Sequence, residues 1–175
     1  DTVWARSLDL NAAVRATGYS TSGYVTTWKV GATWNVIDDI RFRATRSRDI
    51  RAPNLQELFQ NGASNTNTVQ DRTQPGAPVT TYVGFTVGNP NLVPEKADTT
   101  GLGVVLQPQF FPGFSASFDY YHINLSDAVN TPSVDQLVNL CFQGNQTACS
   151  AITRTGTGAS TFLLIKVVPQ NFATE

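Results

Sequence analysis

Residues 28–45, WKVGATWNVIDDIRFRAT, put Trp28, Val30, Ala32, Trp34 and Val36 on one parity and Lys29, Gly31, Thr33 and Asn35 on the other. Side chains along a strand point alternately to opposite faces, so this stretch predicts a strand with unlike faces. Asp38-Asp39 supplies a tight reversal, after which Ile40, Phe42 and Ala44 resume the apolar row against Arg41, Arg43 and Thr45. The same rhythm extends both ways. Upstream, Leu8, Leu10, Ala12, Val14, Ala16 and Gly18 alternate with Asp9, Asn11, Ala13, Arg15, Thr17 and Tyr19, and Ser20 to Gly23 make a turn. Downstream, Thr100, Leu102, Val104 and Leu106 form one row. Phe114, Ala116, Phe118 and Tyr120 then lie opposite Ser115, Ser117, Asp119 and Tyr121, with turn chemistry from Pro108 to Gly113 between the two runs.

The charges follow the parity. Asp9, Arg15, Lys29, Arg41, Arg43 and Asp119 all fall on polar rows, and Arg46 and Asp98 meet the apolar rows only at strand ends. A Lys or Arg facing lipid costs about 2–4 kcal/mol at the bilayer midplane and about 0–1 near its edge, so a transmembrane barrel requires this distribution. A soluble sandwich with one buried face shows a similar alternation. Three features separate the two. The runs are about 9–13 residues long, where soluble strands average about 5–6. Aromatic residues gather near strand ends, with Tyr19, Tyr24, Tyr120 and Tyr121 at one end and Trp34 and Phe114 at the other, as in interfacial girdles. Connections are short on one side, and on the other two are very long, Asp49 to roughly Pro94 and Ser126 to roughly Asn171.

Composition agrees. The 175 residues carry a net charge of −1 and only 14% charged residues, while Thr, Ser, Asn and Gln contribute 22, 11, 13 and 10. This balance argues against a coiled coil, a charged disordered tail or a basic nucleic-acid binder, so no nucleic-acid partner is expected. No stretch reaches the ~18 apolar residues of a spanning helix; Phe162 to Val168 comes nearest and Lys166 interrupts it. With no methionine and no opening signal segment, the chain reads as a mature or internal piece of something larger. Cys141 and Cys149 enclose a spacing compatible with one small disulfide loop, the alternatives being two free thiols or a metal pair lacking partners. One histidine, His122, and no Cys-x-x-Cys leave no zinc site, and no metal or cofactor is expected. Neither a Gly-x-Ser-x-Gly elbow nor a Gly-rich phosphate loop occurs, so no enzymatic activity is expected. The long connections read as irregular. Short helices are expected over Asn54 to Gln60, behind Pro53, and over Ser133 to Phe142, with Ser133 as cap; Asn61 to Pro78 is expected to be mobile.

Ile40 to Phe59, IRFRATRSRDIRAPNLQELF, resembles the strand-to-loop signature of TonB-dependent outer-membrane receptors, with its Arg-Ala-Pro-x-Leu-x-Glu-Leu-Phe run. Gly88 to Pro108, GNPNLVPEKADTTGLGVVLQP, resembles that family's Gly-Asn-Pro-x-Leu-x-Pro-Glu element and the strand after it. Phe114 to Val129 resembles the next strand, and Cys141, Cys149 and Ile152-Thr153-Arg154 the loop of one large subgroup. The resemblance covers most of the chain. It implies an all-β fold: about five long strands of an antiparallel transmembrane barrel of about 22 strands, with long extracellular loops carrying short helices. All of residues 1–175 would then belong to a partial barrel domain, with the family's plug domain absent. The implied activity is energy-coupled uptake of a scarce ligand, a siderophore, vitamin or carbohydrate, across the outer membrane of a Gram-negative cell. Implied partners are outer-membrane lipid, an extracellular small ligand, the receptor's own plug and, through it, the TonB energising complex. A secreted β-sandwich binding carbohydrate, or another outer-membrane barrel such as a porin or autotransporter, are the alternatives.

Arg41, Arg43, Arg46, Arg48 and Arg51 put five guanidinium groups in eleven positions and are the candidate residues facing ligand or plug, because Arg pairs bidentately with anionic groups. A solvated charged stripe is the competing explanation. Glu95-Lys96 reads as an exposed pair of little consequence. His122 and Asp119 are three positions apart, so on a strand they face opposite sides and do not form an acid–base pair.

Overall fold

The computed structural model describes residues 6–156 and 161–172. They divide into two compact units, one holding described residues 6–52 and 94–128, the other Pro53–Val93 and the described part of Val129–Phe172.

The first unit is one antiparallel sheet of β1 (Ser7–Tyr19), β2 (Gly23–Ile37), β3 (Ile40–Arg51), β6 (Glu95–Leu106) and β7 (Ala116–Ser126), in the spatial order β1-β2-β3-β6-β7. The five runs legible in the sequence are these five strands. Asp38 and Asp39 alone join β2 to β3, and the β1–β2 turn uses Gly23 at φ 73°, which a residue with a Cβ resists. Both long connections leave from the end of the sheet marked by Arg51 and Ser126. No residue of these strands is buried. Leu10 is 73% exposed and Val14 76%.

The second unit is built from the two connections. It contains α1 (Leu55–Phe59), β4 (Ala63–Gln70), β5 (Val79–Thr86), β8 (Ala128–Asn130), α2 (Val134–Phe142), α3 (Gln146–Ser150), β9 (Ile152–Thr155), β10 (Phe162–Val167) and β11 (Gln170–Phe172). A sheet runs β4-β5-β10-β9, and β11 pairs with β8. Leu163 and Ile165 on β10 are fully buried and pack with Val69, Tyr82, Leu137, Val138, Ala148, Ile152 and Val167 into one core. The helices are fastened at their starts. Ser133 Oγ accepts from Gln136 N–H at 3.2 Å while Gln136 Oε1 accepts from Ser133 N–H at 2.8 Å, a reciprocal cap that satisfies two free amides of α2. Cys141 of α2 and Cys149 of α3 are joined by a disulfide. Asp71, 2% exposed, accepts from Arg154 Nη2 at 3.1 Å and ties the 71–78 turn to β9.

Two expectations are corrected here. The long connections are not irregular, and Asn61–Pro78 is not wholly loop, because β4 occupies Ala63–Gln70. Its sequence, ASNTNTVQ, hides the strand: only Val69 is buried, so no apolar row marks it. β5 and β10 pair in parallel, Leu163 with Tyr82 and Val167 with Thr86, which also departs from an all-antiparallel fold. That pairing joins segments far apart in sequence and leaves no local trace. A smaller shift concerns α1, whose N-cap is Asn54, with Asn54 Oδ1 accepting from Glu57 N–H at 2.8 Å; Pro53 precedes the cap instead of opening the helix.

Candidate functional site on the charged face of the sheet

On the odd-numbered face of the five-stranded sheet, charged and amide side chains form a ladder along β3. Arg41 Nε donates to Asn35 Oδ1 at 2.7 Å, and Asn35 Nδ2 donates to Ser7 Oγ at 2.7 Å, linking β3, β2 and β1. Two residues on, Arg43 forms a bidentate pair with Asp119, Nε to Oδ1 at 2.8 Å and Nη2 to Oδ2 at 2.5 Å. This pair reaches across β6, because Arg43, Gly103 and Asp119 share one register row. A Cβ at Gly103 would collide with the Asp119 carboxylate and sit 2.7 Å from Arg43 Nε, so only glycine leaves the bridge room. At the end where the long connections leave, Arg51 pairs with Glu95 through two contacts of 2.7 Å. Arg43 and Asp119 are each about half exposed, at 46%. Exposed ion pairs contribute about 0–1 kcal/mol, so the ladder fixes the orientation of its guanidinium groups more than it stabilises the sheet.

The even-numbered face is different. Leu8, Trp34, Phe42, Val104 and Phe118 form one register row, and Leu10, Ala32, Ala44, Leu102 and Tyr120 the next. The third row runs Ala12, Val30, Arg46, Thr100 and His122, and the fourth Val14, Trp28, Arg48, Asp98 and Asn124. On β1 the apolar residues persist to Ala16, in a fifth row, whereas on β7 they end at Tyr120, in the second. On β2 they persist to Trp28 in the fourth row, and on β3 and β6 they end at Ala44 and Leu102 in the second, so the boundary drops three rows between β1 and β3 and is level from β3 to β7.

The five arginines do not share one face. Arg41, Arg43 and Arg51 stand on the charged ladder, while Arg46 and Arg48 lie on the even-numbered face where its apolar field ends. Arg48 is paired to Asp98 at 2.8 Å, and Arg46 donates to the neutral hydroxyl of Thr100. Glu95 and Lys96 turn to opposite faces, Glu95 to Arg51 and Lys96 to Asp127 at 3.3 Å. Asp119 and Gly103 were missed as members of the ladder. Parity does put Asp119 on the face of Arg43, and the β6–β7 hairpin register would have placed the two in one row. Among the described residues no group of His, Cys, Asp and Glu is arranged to hold a metal ion. No helix is long and apolar enough to cross a membrane, which says nothing of strands.

Residues 3–157 match the family described as TonB dependent receptor-like, beta-barrel. Among solved structures, the chain is similar to the siderophore receptor PirA from Pseudomonas aeruginosa, with 16% identity and a TM-score of 0.61 over 95% of this chain and 26% of that one. PirA from Acinetobacter baumannii gives 15% identity and a TM-score of 0.61, covering 95% and 21%. A mutant ferric enterobactin receptor (PfeA) from Pseudomonas aeruginosa in complex with enterobactin gives 14% and 0.64, covering 96% and 21%. The chain thus spans between 21% and 26% of these receptors, and at such identities the likeness is one of fold. No curated protein gives a significant match.

Proposed function

Because the chain belongs to the TonB-dependent receptor-like β-barrel family, as the match over residues 3–157 shows, we propose that it forms part of the wall and outer loops of an outer-membrane receptor for energy-coupled uptake of a small ligand. The single observation that carries this reading is the apolar field of the even-numbered face, whose first two rows are apolar and unburied on all five strands, opposite a charged ladder. Strands of a transmembrane barrel alternate apolar-out and polar-in in this way, and with the family match the sandwich alternative is not favoured. The even-numbered row then faces lipid and the odd-numbered ladder faces the lumen.

The ladder sets the site proposal. Arg41, Arg43 and Arg51 would face the lumen, where a plug domain or a passing ligand meets them, while Arg46 and Arg48 would stand on the lipid side. Arg41 offers the strongest hold on an anion, since its partner among the described residues is the neutral Asn35. Arg43 and Arg51 are already held by carboxylates. The ligand class proposed is that of siderophores, vitamins or carbohydrates, with a siderophore first because the similar structures include the siderophore receptor PirA and a ferric enterobactin receptor. The energising partner proposed is the TonB complex, acting through a plug.

The test is uptake in a Gram-negative strain lacking its own receptors and expressing the receptor that carries this chain. A panel of ferric siderophores, cobalamin and maltodextrin is offered with and without a proton uncoupler. One ligand should accumulate only in energised cells, and Arg41→Gln should reduce its surface binding. Accumulation that is indifferent to the uncoupler would remove the energy-coupled reading and favour a passive pore.

A further inference from the structure

In the second row of the even-numbered face, Leu10, Ala32, Ala44, Leu102 and Tyr120, the two inner strands β2 and β3 carry only methyl groups. On one side of the alanines stand Trp34 and Phe42, a tilted ring pair with centroids 6.0 Å apart. On the other side stand Val30 and Arg46. The result is a hollow in the apolar face, floored by Ala32 and Ala44 and walled by Trp34, Phe42, Leu102 and Phe118. Its lining is predominantly apolar, with Arg43, Gly103 and Asp119 also touching it.

Arg46 stands one row, about 6.6 Å, beyond Ala44 on the same face. It is exposed, and its partner is the neutral Thr100 hydroxyl. The neighbouring cations on this face are neutralised, Arg48 by Asp98 at 2.8 Å and Lys96 by Asp127 at 3.3 Å. Arg46 also lies within electrostatic reach of Asp98, so among the described residues one carboxylate serves two guanidinium groups, and a positive charge is left in excess at the level where the apolar field of β3 gives way to polar side chains. An alkyl chain fills an apolar hollow of this shape, and a guanidinium group pairs bidentately with a phosphate.

From this juxtaposition we infer that Ala32, Ala44 and Arg46 form a binding site for one anionic, phosphate-bearing membrane lipid, with an acyl chain in the hollow and the phosphate on Arg46. The inference rests on the proposal that the even-numbered face meets lipid. A free phosphate has no use for the hollow. A zwitterionic lipid gains less, because its amine finds no unengaged carboxylate among Asp98 and Asp127. The bound lipid completes the charge balance of the boundary and covers the shallowest part of the apolar face.

The test uses the receptor carrying this chain in nanodiscs of phosphatidylcholine with a minority of phosphatidylglycerol, followed by release into detergent and native mass spectrometry of the retained lipid. Wild type should retain phosphatidylglycerol over phosphatidylcholine by about fivefold, the ratio one basic group contributes at a membrane surface. Arg46→Gln should abolish that preference, Arg46→Lys should keep it, and Ala44→Leu, which fills the hollow, should lower retention of both lipids. An unchanged preference in Arg46→Gln, or none in wild type, overturns the site. A fluorophore on Leu102→Cys separates the two levels of the account. If doxyl-labelled phosphatidylcholine quenches it while no headgroup preference exists, only the lipid site fails. If lipid does not quench it, the membrane orientation fails and takes the site with it.

Discussion

The two units solve opposite problems with the same element, the β-strand. The loop unit buries its apolar residues: Leu163 and Ile165 are fully buried, with helices α2 and α3 contributing to the same core. The five-stranded sheet buries none of its strand residues, and yet the first two rows of its even-numbered face are apolar on every strand. Leu10 and Val14 on that face are about three-quarters exposed, and an apolar patch of that extent marks an interaction surface. One unit makes its own apolar interior, and the other, on the proposed reading, is completed by the bilayer.

The comparison breaks most readily at the centre of the loop core. Leu163→Ala should cost about 2–5 kcal/mol there, the range for emptying a packed site. Trypsin cleavage after Arg154 should accelerate at least about tenfold, since that loss is more than one decade in an opening equilibrium. Leu10→Ala, the same deletion on the sheet, should leave cleavage unchanged. If both variants behave alike, the two units do not differ in the way described. Next comes charge on the apolar row. Leu102→Arg should destabilise the sheet by about 2–4 kcal/mol in urea unfolding from lipid vesicles, whereas Thr99→Arg on the opposite parity should change stability by less than about 1 kcal/mol. Equal costs would contradict the assignment of the faces.

Removing the cross-link between α2 and α3 is the third test. The double change Cys141→Ser and Cys149→Ser should cost the loop unit about 2–3 kcal/mol by the chain-entropy estimate for so small a loop, read as hydrogen-exchange protection of the Val134–Phe142 amides. Protection of strand amides in the sheet should stay as it was. The smallest effect belongs to the ladder. Asp119→Asn should lower stability by less than about 1 kcal/mol, because the Arg43 pair is about half exposed. Gly103→Val should cost more than Asp119→Asn, as its Cβ displaces the bridge itself. The reverse order would mean that the pair, and not the space above β6, is what that row protects.

Legibility in the sequence followed the same division. Every strand of the sheet could be read from parity, because one apolar and one polar face impose a period of two on strands of 11 to 15 residues. The three-strand bridge through Gly103 needed the register as well, since parity gives a face but not a row. The loop unit was largely illegible. β4 presents only Val69 to its core, and β10 is apolar on nearly every position, so neither shows alternation. Their partnership also depends on a parallel pairing between two separate connections, which no local pattern encodes. The start of α2 was readable at Ser133 because capping is a local contract between a residue and the amide three positions on, whereas at α1 the proline at 53 drew attention from the true cap, Asn54, and α3 gave no signal that was read. The five arginines looked like one cluster because sequence proximity along β3 conceals that alternate residues look out on different solvents.

Alternation along β6 tests the central claim most directly. Single cysteines at positions 97, 99, 102, 104, 105 and 106, placed one at a time in the receptor in lipid vesicles, are treated with a water-soluble maleimide and, separately, labelled with a fluorophore and exposed to doxyl-labelled lipid. Quenching by lipid is expected at 102, 104 and 106 and maleimide reactivity at 97, 99 and 105. Uniform reactivity at all six positions, or quenching on the odd parity, would contradict it.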